Sequence, residues 1–307
     1  MPGLLRPSPH PLLVHGTLVL VSLIFGLNYV AVKIIVEAVP RQSWMFWRIA
    51  VATAFLLPIA LWNRKLPRDP KIWLALLLAA ALGVIANQIM FAEGMARTMP
   101  GHGAVINALI PVLTLVFAIF AGQEHLDAKK ALALLCATSG VLVLLHADEM
   151  FQGAMPVGST LLGDLLVLGN AATFSAFLVI MRKIGNAVDP LVASAIGFCY
   201  GVFAIGGYSL AHDAITAASF VQLFTQPVLP WTLFAILGAT VLTYLMNAWA
   251  LRHTHSSQVA FYICIQPLVA SVVSPQMTGE QLGLRFWIAV GLVCLAVVVQ
   301  SWPRRSG

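Results

Sequence analysis

Charge is what this chain has least of. Lysine, arginine, aspartate and glutamate make up 9% of its 307 residues, against 60% apolar. A soluble domain carries about 25% charge, so this chain cannot cover a water-facing surface of normal size. Acidic residues number 11, and none falls near the middle of an apolar run. Cysteine is sparse too. Cys136, Cys199, Cys264 and Cys294 all lie within apolar runs, without metal-ligand spacing or an extracellular framework pattern, and read as small packing residues. Neither a metal nor a cofactor is expected. The net charge of +6 does not point to nucleic acid, because the basic residues are scattered through short loops and form no stripe. Residues 2–11 are rich in proline and nearly uncharged, unlike the start of a signal peptide; no cleavage is expected there.

What the chain has in abundance is apolar runs of about 20 residues, the length that crosses ~30 Å of hydrocarbon. Backbone polar groups in lipid must be satisfied within the segment, so these runs should be helices. Ten are expected, at 15–36, 43–62, 72–94, 102–121, 129–146, 161–181, 191–211, 231–251, 257–273 and 283–302, with nine as the alternative because the fifth is short and only a brief loop separates the last two. The basic residues orient them. With the N-terminus in the cytoplasm, twelve fall inside: Arg6, Arg64, Lys65, Arg68, Lys71, Lys129, Lys130, Arg182, Lys183, Arg252, Arg304 and Arg305. Four fall outside, Lys33, Arg41, Arg97 and Arg285, and Arg48 lies within the second span. That bias over short loops places both termini in the cytoplasm, and the expected location is the inner cell membrane.

An internal repeat organises the spans. A shift of 156 residues carries Pro111 onto Pro267, Glu124 onto Glu280 and Leu126 onto Leu282, a shared Pro-x12-Glu-x-Leu. Met90 and Met246, Thr98 and Thr254, and Ala104 and Ala260 keep the same register. At a slightly smaller shift, Phe25 and Lys33 fall on Phe174 and Arg182, and Pro40 falls near Pro190. The expected division is a cytoplasmic lead (1–14), a first five-helix repeat (15–147), a connecting loop (148–160), a second repeat (161–302) and a cytoplasmic tail (303–307). An odd number of spans per repeat inverts the second half in the membrane. Inverted repeats are a common carrier architecture, with the site where the halves meet. The expected fold is therefore an all-α integral membrane protein, with two inverted five-helix repeats around a central cavity.

Phe25-Gly26-x-Asn28-Tyr29 ahead of Lys33, Arg48 in the second span, and Pro-x12-Glu in the fourth and ninth spans resemble the drug/metabolite transporter superfamily, specifically its EamA-type ten-helix exporters. The resemblance covers essentially the whole chain. Phe25-Gly26 stands where that family usually has Trp-Gly, and the second copy of the motif is degenerate, Thr173-Phe174-Ser175-Ala176-Phe177. The resemblance implies a cavity lined by the first, third and fourth spans of each half. It also implies export of small metabolites, with the bacterial exporters of aromatic or neutral amino acids as the nearest match. Relatives of that superfamily carry nucleotide sugars, sugar phosphates or cationic drugs, and these remain the alternatives.

Polar side chains at membrane depth are costly and so are candidates for function. The candidates are Asn28 and Tyr29 in the first span, Asn87, Gln88, Phe91 and Met95 in the third, and Asn107 in the fourth. Tyr244 and Asn247 follow in the eighth, and Tyr262 and Gln266 in the ninth. Each has a blander reading, since a lone amide in a span often bonds a neighbouring helix at about 0.6 kcal/mol. Pro111 and Pro267 each remove a backbone hydrogen bond and mark a kink or a hinge. Arg48, near the outer end of its span, reads as a snorkelling side chain or as a partner for Glu93 or a substrate carboxylate. Glu124 and Glu280, at span ends, read as loop-pairing groups. Without a mid-span carboxylate there is nothing to exchange protons for a cationic drug. A lining of amides and aromatics suits a zwitterion with an apolar side chain. An intramembrane enzyme would need Ser/His or paired Asp at depth, but His15, His102 and His146 sit at span ends. The partners expected are a small-molecule substrate and the lipid bilayer. A receptor or scaffold without transport is the remaining class, and the oligomeric state stays open, a monomer included.

Overall fold

Among the described residues, ten long helices carry the chain back and forth, and a short helix, Ala217–Leu223, lies between the seventh and eighth. The computed structural model describes residues 11–62, 66–144, 160–184, 187–250, 262–263, 265–279 and 281–301. The expected N-terminal lead up to residue 10, the connecting loop before Thr160, the 303–307 tail, Cys264, Glu280, and the Thr254 and Ala260 members of the repeat pairs lie outside the described residues. The helices are α1 (Pro11–Ala38), α2 (Arg41–Leu61), α3 (Pro70–Met95), α4 (Pro100–Phe120), α5 (Ala128–Leu144), α6 (Leu161–Ile184), α7 (Pro190–Leu210), α8 (229–250), α9 (Ile265–Thr278) and α10 (Leu284–Ser301). Seven of them are long and apolar enough in the described residues to cross a membrane unaided.

Helix starts follow local chemistry rather than the apolar runs. Pro11, Pro70, Pro100 and Pro190 each open a helix, where a missing N–H costs nothing. The Asp69 and Asp189 carboxylates cap α3 and α7 by accepting from the amides of Lys71 and Leu191. This places several starts a few residues ahead of the expected ones. α4 and α9 end alike, each followed by a glycine at positive φ, Gly122 at 67° and Gly279 at 70°. α4 is broken at Ala108–Leu109, where Pro111 has no N–H for the carbonyl of Asn107.

The repeat reappears as geometry. α1 packs along α9 as α6 packs along α4; α1 meets α8 as α6 meets α3; α2 pairs with α7, and α5 with α10. Exchanging each helix with the one five places later leaves this set of pairs unchanged, as a pseudo-twofold axis requires. α3 and α8 also share a local irregularity. Ala81–Ala86 and Phe234–Leu242 are π-helical, and the 156-residue shift carries 81–86 onto 237–242, inside the second segment. π turns are rare and concentrate at functional sites.

Polarity is arranged inside out. Phe120, Phe203, Leu284, Leu74 and Val272 are largely exposed, a large apolar exterior that soluble proteins avoid and that lipid covers. Ser22, Asn28, Arg48, Asn107, Asp164 and Gln266 are buried.

Candidate functional site

Two clusters form where the halves meet. The first joins α1, α3, α4 and α9. Tyr29 of α1 donates its hydroxyl to Gln266 Oε1 at 3.2 Å, with Asn107 beside it. The Tyr29 ring lies edge-on to Phe91, centroids 5.8 Å apart. Met95, fully buried, fills the space over Gly103. Gly26 permits this close approach: a Cβ there would lie 2.5 Å from Val269 Cβ and 3.0 Å from the Gln266 carbonyl. The Asn28 and Asn107 side chains are buried in the same helices, and neither Oδ1 atom accepts a hydrogen bond from any described residue.

The second cluster joins α2, α3 and α8 around Arg48, which is 5% exposed. Its Nε donates to Thr240 Oγ1 at 2.9 Å and its Nη1 to Gln88 Oε1 at 3.3 Å. The guanidinium carbon lies 5.7 Å from the Trp44 ring centre. Tyr244 stands beside it and packs its own ring on Phe198, centroids 5.0 Å apart. Asn247, one turn further along α8, has a buried Oδ1 with no described donor. The two clusters share α3, on which Gln88 and Phe91 are one turn apart.

Two of the expected residues are engaged elsewhere. Asn87 donates to the Asn170 carbonyl at 3.2 Å, and Asn170 donates back to the Asn87 carbonyl at 3.1 Å, a clasp between α3 and α6. Tyr262 lies with its hydroxyl 2.6 Å from His15 Nδ1, tying the stretch just ahead of α9 to the start of α1. The expectations for Arg48 need correcting. It does not snorkel, because its head turns inward to Thr240. Nor does it pair with Glu93, whose carboxylate lies 3.2 Å from Arg41 Nε and also binds Arg97. Asp164 went unnoticed in the sequence. It is 2% exposed, accepts from the Thr98 hydroxyl and lies 3.4 Å from His102 Nδ1. Its position four residues into an apolar run looks like a helix cap, and no sequence signal separates the two.

The ends of the bundle differ. Where α6 meets α3, a Cβ on Gly163 would lie 2.6 Å from the Arg97 backbone, and Thr160 donates its amide to the Arg97 carbonyl at 2.9 Å. Where α1 meets α8 there is an apolar cleft of about 420 Å³, lined by Leu13, Thr17, Leu245, Met246 and Trp249. At the loop between α4 and α5, Glu124 binds Lys130 at 2.9 Å and Arg182 at 2.8 Å. Burial alone would push the Glu124 carboxyl up, but the bonds and charges of Lys130 and Arg182 outweigh it and hold it below the usual carboxylate range. Among the described residues, no three His, Cys, Asp or Glu side chains gather into a metal-binding group.

Duplicated helical halves, apolar outside and polar where they meet, define a multi-pass membrane transporter. The chain belongs to the EamA-like transporter family, whose pattern matches twice, over residues 13–146 and 161–302. It is 23% identical over 287 residues to the uncharacterized transporter YyaM of Bacillus subtilis, covering 91% of this chain and 90% of that one. It is 24% identical over 258 residues to a WAT1-related protein of Arabidopsis thaliana, covering 74% and 68%. A solved crystal structure, described only as that of a protein, shares the fold with a TM-score of 0.57 at 15% identity, covering 93% of this chain and 96% of that one.

Proposed function

We propose that this transporter exports small metabolites, with large neutral or aromatic amino acids as the substrate class, by alternating access between halves 15–147 and 161–302. The observation that carries this reading is the set of buried amide oxygens on Asn28, Asn107 and Asn247 that accept no hydrogen bond from the described residues. A buried acceptor left unpaired costs about 1–3 kcal/mol, and a passing ammonium group or water relieves that cost. Tyr29 and Phe91 offer flat apolar walls for a side chain. Asn28, Tyr29, Gln88, Phe91, Met95, Asn107, Tyr244, Asn247 and Gln266 are the proposed contacts, with Asn87 and Tyr262 supporting the helices that carry them.

The basic residues of the loops support cytoplasmic termini in an inner membrane, and in that orientation the α1–α8 cleft faces the cytoplasm. The test is uptake of radiolabelled compounds by liposomes holding the purified protein. The panel is amino acids, sugars, sugar phosphates, nucleotide sugars and cationic drugs. Saturable uptake of phenylalanine, tryptophan or leucine is the expected result; uptake confined to phosphorylated or cationic compounds defeats this reading. A reporter fused after Gly307 that is active only outside the cytoplasm defeats the orientation.

A further inference from the structure

We propose that Arg48 is the anion anchor of the transport pathway and holds the carboxylate of the substrate. The proposal deepens the amino-acid reading and rests on it for the kind of carboxylate carried.

Arg48 lies seven residues into α2, about 10 Å from the helix start at 1.5 Å per residue. Its surroundings are polar but neutral: Thr240, Gln88, Trp44 and Tyr244. No described carboxylate lies within ion-pair distance of it. The sequence makes this more than an accident of rotamers. α2 and its main neighbours, α7 and α8, contain no aspartate or glutamate; the acid on α1, Glu37, pairs with Lys33 at 3.2 Å. The acid on α3 is Glu93, already held by Arg41 and Arg97.

A buried guanidinium without a counter-charge is expensive, and packing alone would be served as well by a neutral side chain. The second half supplies that comparison. In the register set by Pro40 and Pro190, the position of Arg48 is filled on α7 by Phe198, which is fully buried against Tyr244. So the fold accepts an apolar residue there. Arginine presents five N–H donors in a planar fork, and the structure uses two of them on neutral acceptors. A carboxylate is the group that fork matches.

The location suits the task. Under the 156-residue shift Gln88 and Tyr244 are equivalent positions, just beyond the two π-helical segments. Arg48 therefore sits at the junction of the halves, one turn of α3 from the Phe91–Tyr29 wall. A substrate with its carboxylate on Arg48 can lay its side chain along that wall. Because the counterpart is Phe198, the pathway has one anchor, and the substrate is held in one orientation.

The experiment compares initial uptake of free carboxylates and of their carboxamides with the same side chain. It uses proteoliposomes of the parent, Arg48→Gln and Arg48→Lys, normalised to protein recovered as a single species. The panel includes amino acids and simple organic acids. The parent should favour the acid. Arg48→Gln should lose about tenfold or more of acid uptake, the scale of one charge-assisted hydrogen bond, while amide uptake stays close to that of the parent. Arg48→Lys keeps charge without the fork and should retain part of the preference.

Equal loss for acid and amide makes Arg48 a structural tie and overturns the proposal, as does a parent that carries no carboxylate. If organic acids are carried, amino acids are not, and Arg48→Gln abolishes the discrimination, the anchor stands and the amino-acid reading falls. Where Arg48→Gln does not yield folded protein, Arg48→Lys decides: an acid preference equal to that of the parent overturns the proposal.

Discussion

The two ends of the bundle are built from equivalent pieces and are not in the same state. Gly163 and Asp164 open α6 as Val14 and His15 open α1, by the register that pairs Phe25 with Phe174. At the α6 end the helices touch backbone to backbone, and Asp164 is locked to Thr98 and His102. At the α1 end, the equivalent contact with α8 is a cleft of about 420 Å³, while His15 reaches across to Tyr262, just ahead of α9. Because the halves are inverted, the proposed alternating access would exchange the packing of these two seams.

The largest expected effect comes from giving the closed seam the residue of the open one. Gly163→Val forces a branched side chain onto the Arg97 backbone, which cannot move aside as a side-chain tip can. Overpacking of this kind costs about 1–3 kcal/mol. A lower midpoint of thermal unfolding in detergent, or loss of the monodisperse species, is expected. Unchanged stability would mean the seam is looser than described.

Next in size are the amides with an unpartnered oxygen against those of the α3–α6 clasp. Asn28→Ala and Asn107→Ala remove oxygens that accept nothing from the described residues, and Asn107→Ala also removes the amide's bond to Tyr29; both should lower amino-acid flux several-fold with a smaller change in stability than in flux. Asn170→Ala breaks the clasp with Asn87 and should do the reverse, costing about 0.6 kcal/mol of stability with little change in substrate preference. Flux and unfolding measured on the same preparations separate the two. Transport by both Asn28→Ala and Asn107→Ala equal to that of the parent removes the basis of the proposed cavity.

The smallest effect concerns the Glu124 ion triad, whose members are partly exposed. Its carboxyl is held below the usual range. Its contribution is therefore present above the unfolded value of about 4.3 and is lost as pH falls through the lowered one. Glu124→Gln should be less stable than the parent at pH 7 by under about 1 kcal/mol, with the gap closing under acidic conditions near and below pH 4. A gap that grows on acidification contradicts the pairing.

The fold was legible because a span must be both long and apolar: seven of the described helices meet that test unaided, and the internal repeat accounts for α5, α9 and α10. The ends were less so: proline and aspartate begin helices ahead of the hydrophobic run, as at Pro70 and Pro190. The π-helical segments left no trace, since Ala81–Ala86 reads like any apolar stretch. Of the candidate site, Tyr29, Phe91, Asn107 and Gln266 do come together. Asn87 could not be told from Asn107 in sequence, because which amide finds a helix partner depends on the rotation of both helices. Of the readings of Arg48, snorkelling and pairing with Glu93 fail, because the distance from a helix end says nothing about which way a long side chain bends.

Those π-helical segments carry a consequence for aim. A turn closed by i→i+5 bonds holds more residues than one closed by i→i+4, so it resets the azimuth of everything that follows. Gln88 and Phe91 follow the first segment, and Tyr244 and Asn247 follow the second. Their bearing on the pathway is thus fixed by how many residues the wide turns contain, and a return to α geometry would swing all four like hands on a dial while leaving both helices in their places.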